Sequence, residues 1–166
     1  MVDPIIGMKR LTNVLMDGGS GLNIMYTEKL DAMGIDQSLI RPIGAPFYGI
    51  VPRKQAVPLG QIDLPITFGD PTNYRMETLT FEVVRFHGTY HTILGHPCYV
   101  KFMVVPNYTY LKFKMLGPRG VITIGTSFLR AYECEVECCK HATAIVTSKE
   151  LVAFREEIVE ETPDPK

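Results

Sequence analysis

The stretch Gln61 to Phe68, "QIDLPITF", alternates Ile62, Leu64, Ile66 and Phe68 with Gln61, Asp63, Pro65 and Thr67. A period of two sends the apolar set to one side of an extended chain, so the run reads as a β-strand with one buried face. Pro65 has no N–H, which places the strand at a sheet edge or turns that nitrogen away from a ladder. "FGDPTN" at 68–73 is turn chemistry, and "METLTFEVVRF" at 76–86 is again β-branched and aromatic, so the two runs predict a hairpin. Similar strand-like runs are "LTNVLM", "LNIMY", "APFYGI", "YHTIL", "YTYLKFKM" and "VITIG", with "VPRK" at 51–54 and "LGPRG" at 116–120 as further turns. "VPNYTYLKF" is read as a strand with alternating faces. A mainly β domain follows.

Two short helices interrupt this pattern. "TEKLDAMG" offers Thr27 as N-cap, Leu30 and Met33 at helical spacing and Gly34 as the stop, while "HPCYVKFM" carries Pro97 in its first turn. The texture changes near "GTS", Gly125 to Ser127. Beyond it, "SKELVAFREEIVEE" predicts a helix with Ser148 as N-cap and Leu151, Phe154 and Ile158 on one side. The expected organisation is a domain over 1–125 and a helical or flexible extension over 126–166, too small to bury a core alone.

Composition removes several classes of function. Seventeen basic and 18 acidic residues leave a formal net charge of −1, so there is no cationic field to hold nucleic acid, and none is expected to bind this domain. No apolar run approaches the ~20 residues of a membrane span, and the N-terminus lacks the apolar core of a signal peptide. A cytoplasmic or nuclear protein without a membrane partner is expected. Three of the four cysteines crowd into "CEVECCKH", Cys134 to His141, whose C-x3-C-C-x-H spacing matches no paired zinc knuckle, so no metal is assigned. His87 and His91 flank "GTY" with no nucleophile to pair with, and read as surface or satisfied residues.

"VLMDGGSGLNIMY", Val14 to Tyr26, sets Asp17 between apolar runs. Alone, Asp-Gly is a common turn between strands. The phosphate-loop reading fails because no lysine and no long helix follow. A functional reading is a carboxylate on a tight loop, with Gly18 and Gly19 permitting positive φ and close approach of another backbone. Hydrolysis of a peptide by carboxyls needs two of them sharing a proton. Asp17 is the only aspartate followed by glycine, so its mate must come from another chain.

"VLMDGGSGLNI" resembles the active-site loop of retropepsins, the homodimeric aspartic proteases of retroviruses and long-terminal-repeat retrotransposons, and most of all the Asp-Gly-Gly-Ser form in plant Ty3/gypsy polyproteins. "GAPFYGIVPRKQAVPLGQIDLPITFG" is similar to the flap hairpin and the strand after it. "TYHTILGHPCYVKF" resembles the Ile-Leu-Gly-Arg motif with its short helix, and "VPNYTYLKFKMLGPRGVITIG" the closing hairpin of such elements. The likeness covers roughly residues 5 to 125, and its force lies in the order of these segments.

The resemblance implies a retropepsin-like closed β-barrel, a homodimer, a polypeptide substrate and no cofactor. Asp17 would be catalytic, in a loop with Gly18, Gly19 and Ser20, the last hydrogen-bonding near the carboxylate. Gly49, Ile50, Val51, Pro52, Arg53 and Lys54 would form the flap over an extended substrate. Leu22, Ile24, Ile50, Val51, Ile93 and Leu94 would wall the pocket or core. Gly18 stands where the family has a Thr or Ser that bonds across the dimer, His96 where it has arginine, and Gly21 where many members have an acidic residue. The short run before Asp17 fits an excised or host-retained fragment of a polyprotein. The expected activity is that of an aspartic endopeptidase; the alternative is a silent domain of the same fold that binds an extended peptide or partner without cutting it.

Overall fold

The hairpin expected around "FGDPTN" is the spine of the molecule. The computed structural model describes residues 1–42, 47–48, 55–85, 89–137 and 139–140. In chain order the strands are β1 (Ile5–Ile6), β2 (Lys9–Arg10), β3 (Val14–Met16) and β4 (Ile24–Tyr26), followed by helix α1 (Thr27–Met33) and a 3-10 turn at Gln37–Leu39. Then come β5 (Phe47–Tyr48), β6 (Gln55–Ala56), β7 (Gly60–Asp70), β8 (Asn73–Val84) and β9 (Thr92–Leu94). Helix α2 (His96–Phe102) leads into β10 (Val105–Asn107), β11 (Lys112–Gly117) and β12 (Gly120–Gly125). A third helix, α3, runs over 128–137.

β7 and β8 pair antiparallel from Gly60↔Val83 to Asp70↔Asn73. The turn between them is closed by Asp70, whose Oδ1 accepts the N–H groups of Thr72 at 2.8 Å and Asn73 at 3.0 Å. Ile62, Leu64, Ile66 and Phe68 are all buried, as period two requires. Pro65 is not on an edge strand. β1 flanks β7 on the side away from β8, and the Pro65 carbonyl accepts the Gly7 N–H at 2.8 Å on that same side. Its nitrogen therefore faces away from the β8 ladder.

The main sheet has the order β2-β1-β7-β8-β4-β9-β3 and curls into a half-barrel. Val2 makes a single bridge to Val14, joining the chain just before β1 to β3 at the other end. β10, β11 and β12 form a second sheet, with Phe113, Met115 and Ile122 buried on its inner face. The core lies between the two sheets. There Phe68 meets Phe102 of α2 edge-on at 5.0 Å and Phe113 at 5.4 Å between ring centroids. Arg75 of β8 closes this corner: its guanidinium donates to the carbonyls of Phe102 at 3.0 Å and Lys101 at 2.9 Å, pairs with Glu77 at 2.8 Å and lies 5.8 Å from the Phe102 ring centre. A cation thus sits at the C-terminus of α2, where the last carbonyls lack helical partners.

Several local expectations change. Thr27 is the first residue of α1 and not its cap; Tyr26 holds the cap position, its side chain making no capping bond to the helix, while Gly34 ends the helix in the left-handed region at φ 71°. "VPNYTYLKF" is not one strand with alternating faces. β10 stops at Asn107, whose Oδ1 accepts the Tyr110 N–H at 2.9 Å, and the chain turns through Leu111 at φ 50° before β11. Both tyrosines of that turn are exposed. Residues 49–54, His87, Cys138, His141 and the helix expected after Ser148 lie outside the described residues. Cys134 is buried and Cys139 exposed. Among the described residues no helix is long and apolar enough to cross a membrane.

Because Phe68 touches both α2 and β11, Phe68→Ala removes the contact between two layers. It is expected to cost about 3–5 kcal/mol in a urea titration. Phe68→Leu should cost clearly less, and a wild-type midpoint for Phe68→Ala would show that this contact contributes nothing.

Candidate active site

β9 runs parallel to β3 and antiparallel to β4, so it is threaded between the two strands that enter and leave the Asp17 loop. Ile93 pairs with Leu15 on one side and Ile24 on the other. Asp17 follows β3, and its N–H donates to the Leu94 carbonyl at 2.9 Å. The Ser20 N–H reaches back to the Asp17 carbonyl at 3.1 Å, closing a turn over Gly18 and Gly19. Asp17 is half-buried, and its Oδ1 accepts the Gly19 N–H at 3.0 Å.

The two glycines depart from expectation in backbone conformation. Neither has a positive φ. A Cβ on Gly19 would stand 3.3 Å from Asp17 Oδ1, so the missing side chain lets the carboxylate close onto the backbone N–H. A Cβ on Gly18 would meet Tyr99 Cζ at 3.6 Å and the Tyr108 hydroxyl at 3.7 Å, which is ordinary contact. Ser20 does not serve Asp17 through its hydroxyl. Its Oγ donates to the Leu22 carbonyl at 2.9 Å and accepts the Leu22 N–H at 3.4 Å.

Behind the loop stand residues that the sequence did not mark. Asn23 is buried; its Oδ1 accepts the Gly95 N–H at 2.9 Å, its Nδ2 donates to the Thr80 carbonyl at 3.0 Å, and its own carbonyl accepts the Glu82 N–H at 2.9 Å. The His96 N–H donates to the Ser20 carbonyl at 2.7 Å, and the Thr92 hydroxyl donates to the Ile24 carbonyl. Gly95 has no room for a side chain, since a Cβ would lie 2.2 Å from the Leu22 carbonyl oxygen and 2.6 Å from that of Ser20. The only hint in sequence is one amide inside the apolar "LNIMY".

Of the expected wall residues, Ile93 and Leu94 are buried and Leu94 belongs to the core, whereas Leu22 and Ile24 are half-buried. Leu22 lines a groove of about 310 Å³ with Asn23, Thr78, Thr80, Glu82, Pro97 and Lys101, to which Asp17 does not contribute. His96 is exposed at the start of α2. Tyr99, half-buried on α2, has its phenol pushed up to about 12 by burial, with Tyr108, Cys98 and Asp17 adding to the shift. Burial alone raises the Cys98 thiol to about 12, so it stays protonated inside the core. Among the described residues, no cluster of His, Cys, Asp or Glu is arranged to hold a metal ion.

The chain is similar to the crystal structure of the retroviral protease-like domain of Ddi1 from Leishmania major, with a TM-score of 0.56 and 14% identity over 75% of this chain and 90% of that one. At such identity the likeness shows the fold. No family model matches the chain, and no curated protein matches it.

Gly95→Ala should destabilise the domain by about 1–3 kcal/mol through overpacking. Asn23→Ala, by leaving a buried N–H unpaired, should also cost about 1–3 kcal/mol. Chemical denaturation checks both; a wild-type midpoint for either would show that the clamp behind Asp17 is not needed.

Proposed function

We propose that this chain is a retropepsin-type aspartic endopeptidase, derived from a plant Ty3/gypsy retrotransposon, that works as a homodimer on polypeptide substrates. The observation that carries the reading is Asp17, half-buried on its tight loop with Oδ1 on the Gly19 N–H, in a retropepsin-like fold. One such loop per chain calls for two chains. In the dimer the paired carboxyls, about 3 Å apart, share a proton. The ionised one takes a proton from water as it attacks the scissile carbonyl, and the protonated one gives its proton to the carbonyl oxygen. Residues 49–54 act as the flap that closes over the bound peptide. No cofactor takes part, the domain over 1–125 is the catalytic unit, and the Val2–Val14 bridge supports a barrel closed at that seam. A cytoplasmic or nuclear setting fits the same reading.

Cleavage of a peptide library between pH 4 and 7, at protein concentrations where sedimentation shows a dimer, tests this. Asp17→Asn should lower the rate by at least about 10³-fold. Equal rates for the two proteins, or no cleavage by the native dimer, would overturn the enzyme reading in favour of a domain that only binds.

The pH window of that assay suits the fold. Asp63 is held below the usual carboxylate range by hydrogen bonds from Arg41 and Thr80, Asp36 by those from Ser38, and Asp70 by those from Thr72 and Asn73. Each is more acidic folded than unfolded, so its contribution is complete above about pH 4 and lost only as pH falls through the lower folded value. His91 works in the opposite direction, because burial and the nearby Lys29 lower its pKa. Below about pH 6.5 the unfolded chain gains that proton first, and stability declines. Thermal unfolding from pH 7 to 4 should show a decline to which the Met1 amino group, lowered by burial and Arg130, also contributes, and His91→Gln should make it smaller.

A further inference from the structure

Helix α3, over 128–137, turns one side to the body of the domain. There Arg130 holds Asp3 through two bonds of 2.7 and 3.0 Å, and Cys134, one turn on, is buried. At about 100° per residue, the opposite side carries Phe128, Leu129, Tyr132 and Val136. The first three are 66%, 65% and 56% exposed, and Val136 is half-buried. Glu135 and Glu133 stand at the two borders of this stripe. The solvent side of a surface helix is ordinarily polar, so three large exposed apolar side chains in one row mark a face that a partner covers. Along it runs a groove of about 570 Å³, lined among the described residues by Tyr132, Glu133, Val136, Glu137 and Lys140.

We infer that this face is the docking site of the chain's own segment 148–161, which lies outside the described residues and packs on α3 as an antiparallel helix. Leu129, Tyr132 and Val136 are spaced i, i+3, i+7, and so are Leu151, Phe154 and Ile158. Two stripes of that spacing make the seam of a helix pair. Residues 141–147 supply the connection, of a length usual between packed neighbouring helices. A segment this short is marginal as a helix alone, whereas the tether keeps it at high local concentration beside α3. With Tyr132 against Ile158 and Val136 against Phe154, Glu133 comes beside Arg155 on one flank and Glu135 beside Glu157 on the other. A second copy of α3 on the same face would bring like charges together on both flanks, which favours the chain's own segment. Through Arg130 and Asp3 the docked pair steadies the first residues of the chain. The inference goes beyond the protease reading and does not rest on it.

Tyr132→Asp and Phe154→Asp attack the seam from its two sides, and both are made in the full chain. Either should speed amide hydrogen exchange at residues 151–158 at least about tenfold, the weight of one large buried apolar side chain, with exchange in β7 and β8 unchanged. The native protein offers a measurement that needs no variant. Nuclear Overhauser contacts should join the Tyr132 ring to Phe154 or Ile158, and an equal mixture of labelled and unlabelled chains should show none of them between molecules. Contacts found only between molecules would assign the face to a second copy and overturn docking within one chain. Absence of these contacts, or native exchange at 151–158 in both variants, would overturn the inference outright.

Discussion

The threading of β9 between β3 and β4 is the constraint on which the rest of the site depends. Each of its three residues is buried; Thr92 and Ile93 pair with strands on both sides, and Leu94 pairs with Met16 of β3 and accepts the Asp17 N–H. Once β9 is in place, the chain leaving β3 has to pass over its end before returning as β4, and residues 17–23 are that passage. Their length and course are set by the donors they must meet: Gly95 for the Asn23 amide, His96 for the Ser20 carbonyl. Each such bond contributes about 1 kcal/mol net, yet an unmade one in this interior costs about 1–3 kcal/mol. The loop is therefore held more by the penalty of any other path than by attraction along this one.

Helix α2 carries this local order into the body of the domain. Its first turn donates to the loop, Cys98 and Phe102 enter the core, and its last carbonyls rest on Arg75. Phe102 in turn meets Phe68, which meets Phe113 of the second sheet. A shift of the outer sheet against the inner one has a continuous packed route to Tyr99 and from there to Gly18.

What could be read in advance was what period and turn chemistry encode. The alternation in β7 named the buried set without error, "FGDPTN" and "LGPRG" marked two hairpin turns, and Gly34 marked a helix end. The clamp was hidden because its partners lie far apart: Asn23 and Gly95 are separated by 72 residues, and neither belongs to a periodic pattern. Thr27 was misplaced by one position because Ser and Thr signal a helix start without saying which side of it they occupy. Tyr108 and Tyr110 mimicked a strand by alternation alone, whereas the Asn107 side chain had already turned the chain. Gly18 and Gly19 were expected to permit positive φ and close approach; neither has a positive φ, and it is at Gly19 that the lack of bulk is used.

Asp3 meets Arg130 through two bonds of 2.7 and 3.0 Å, and the Ser127 N–H donates to the Met1 carbonyl at 3.1 Å, beside the bridge from Val2 to Val14. This seam joins positions more than a hundred residues apart, and a contact of that span is slow to close because the intervening chain must first be gathered in. During synthesis every strand of the half-barrel leaves the ribosome before Arg130 does. The segment Met1 to Asp3, whose Val2 borders the strand that delivers Asp17, is thus tied down from outside only after α3 has emerged, so completion of this corner is timed by translation itself.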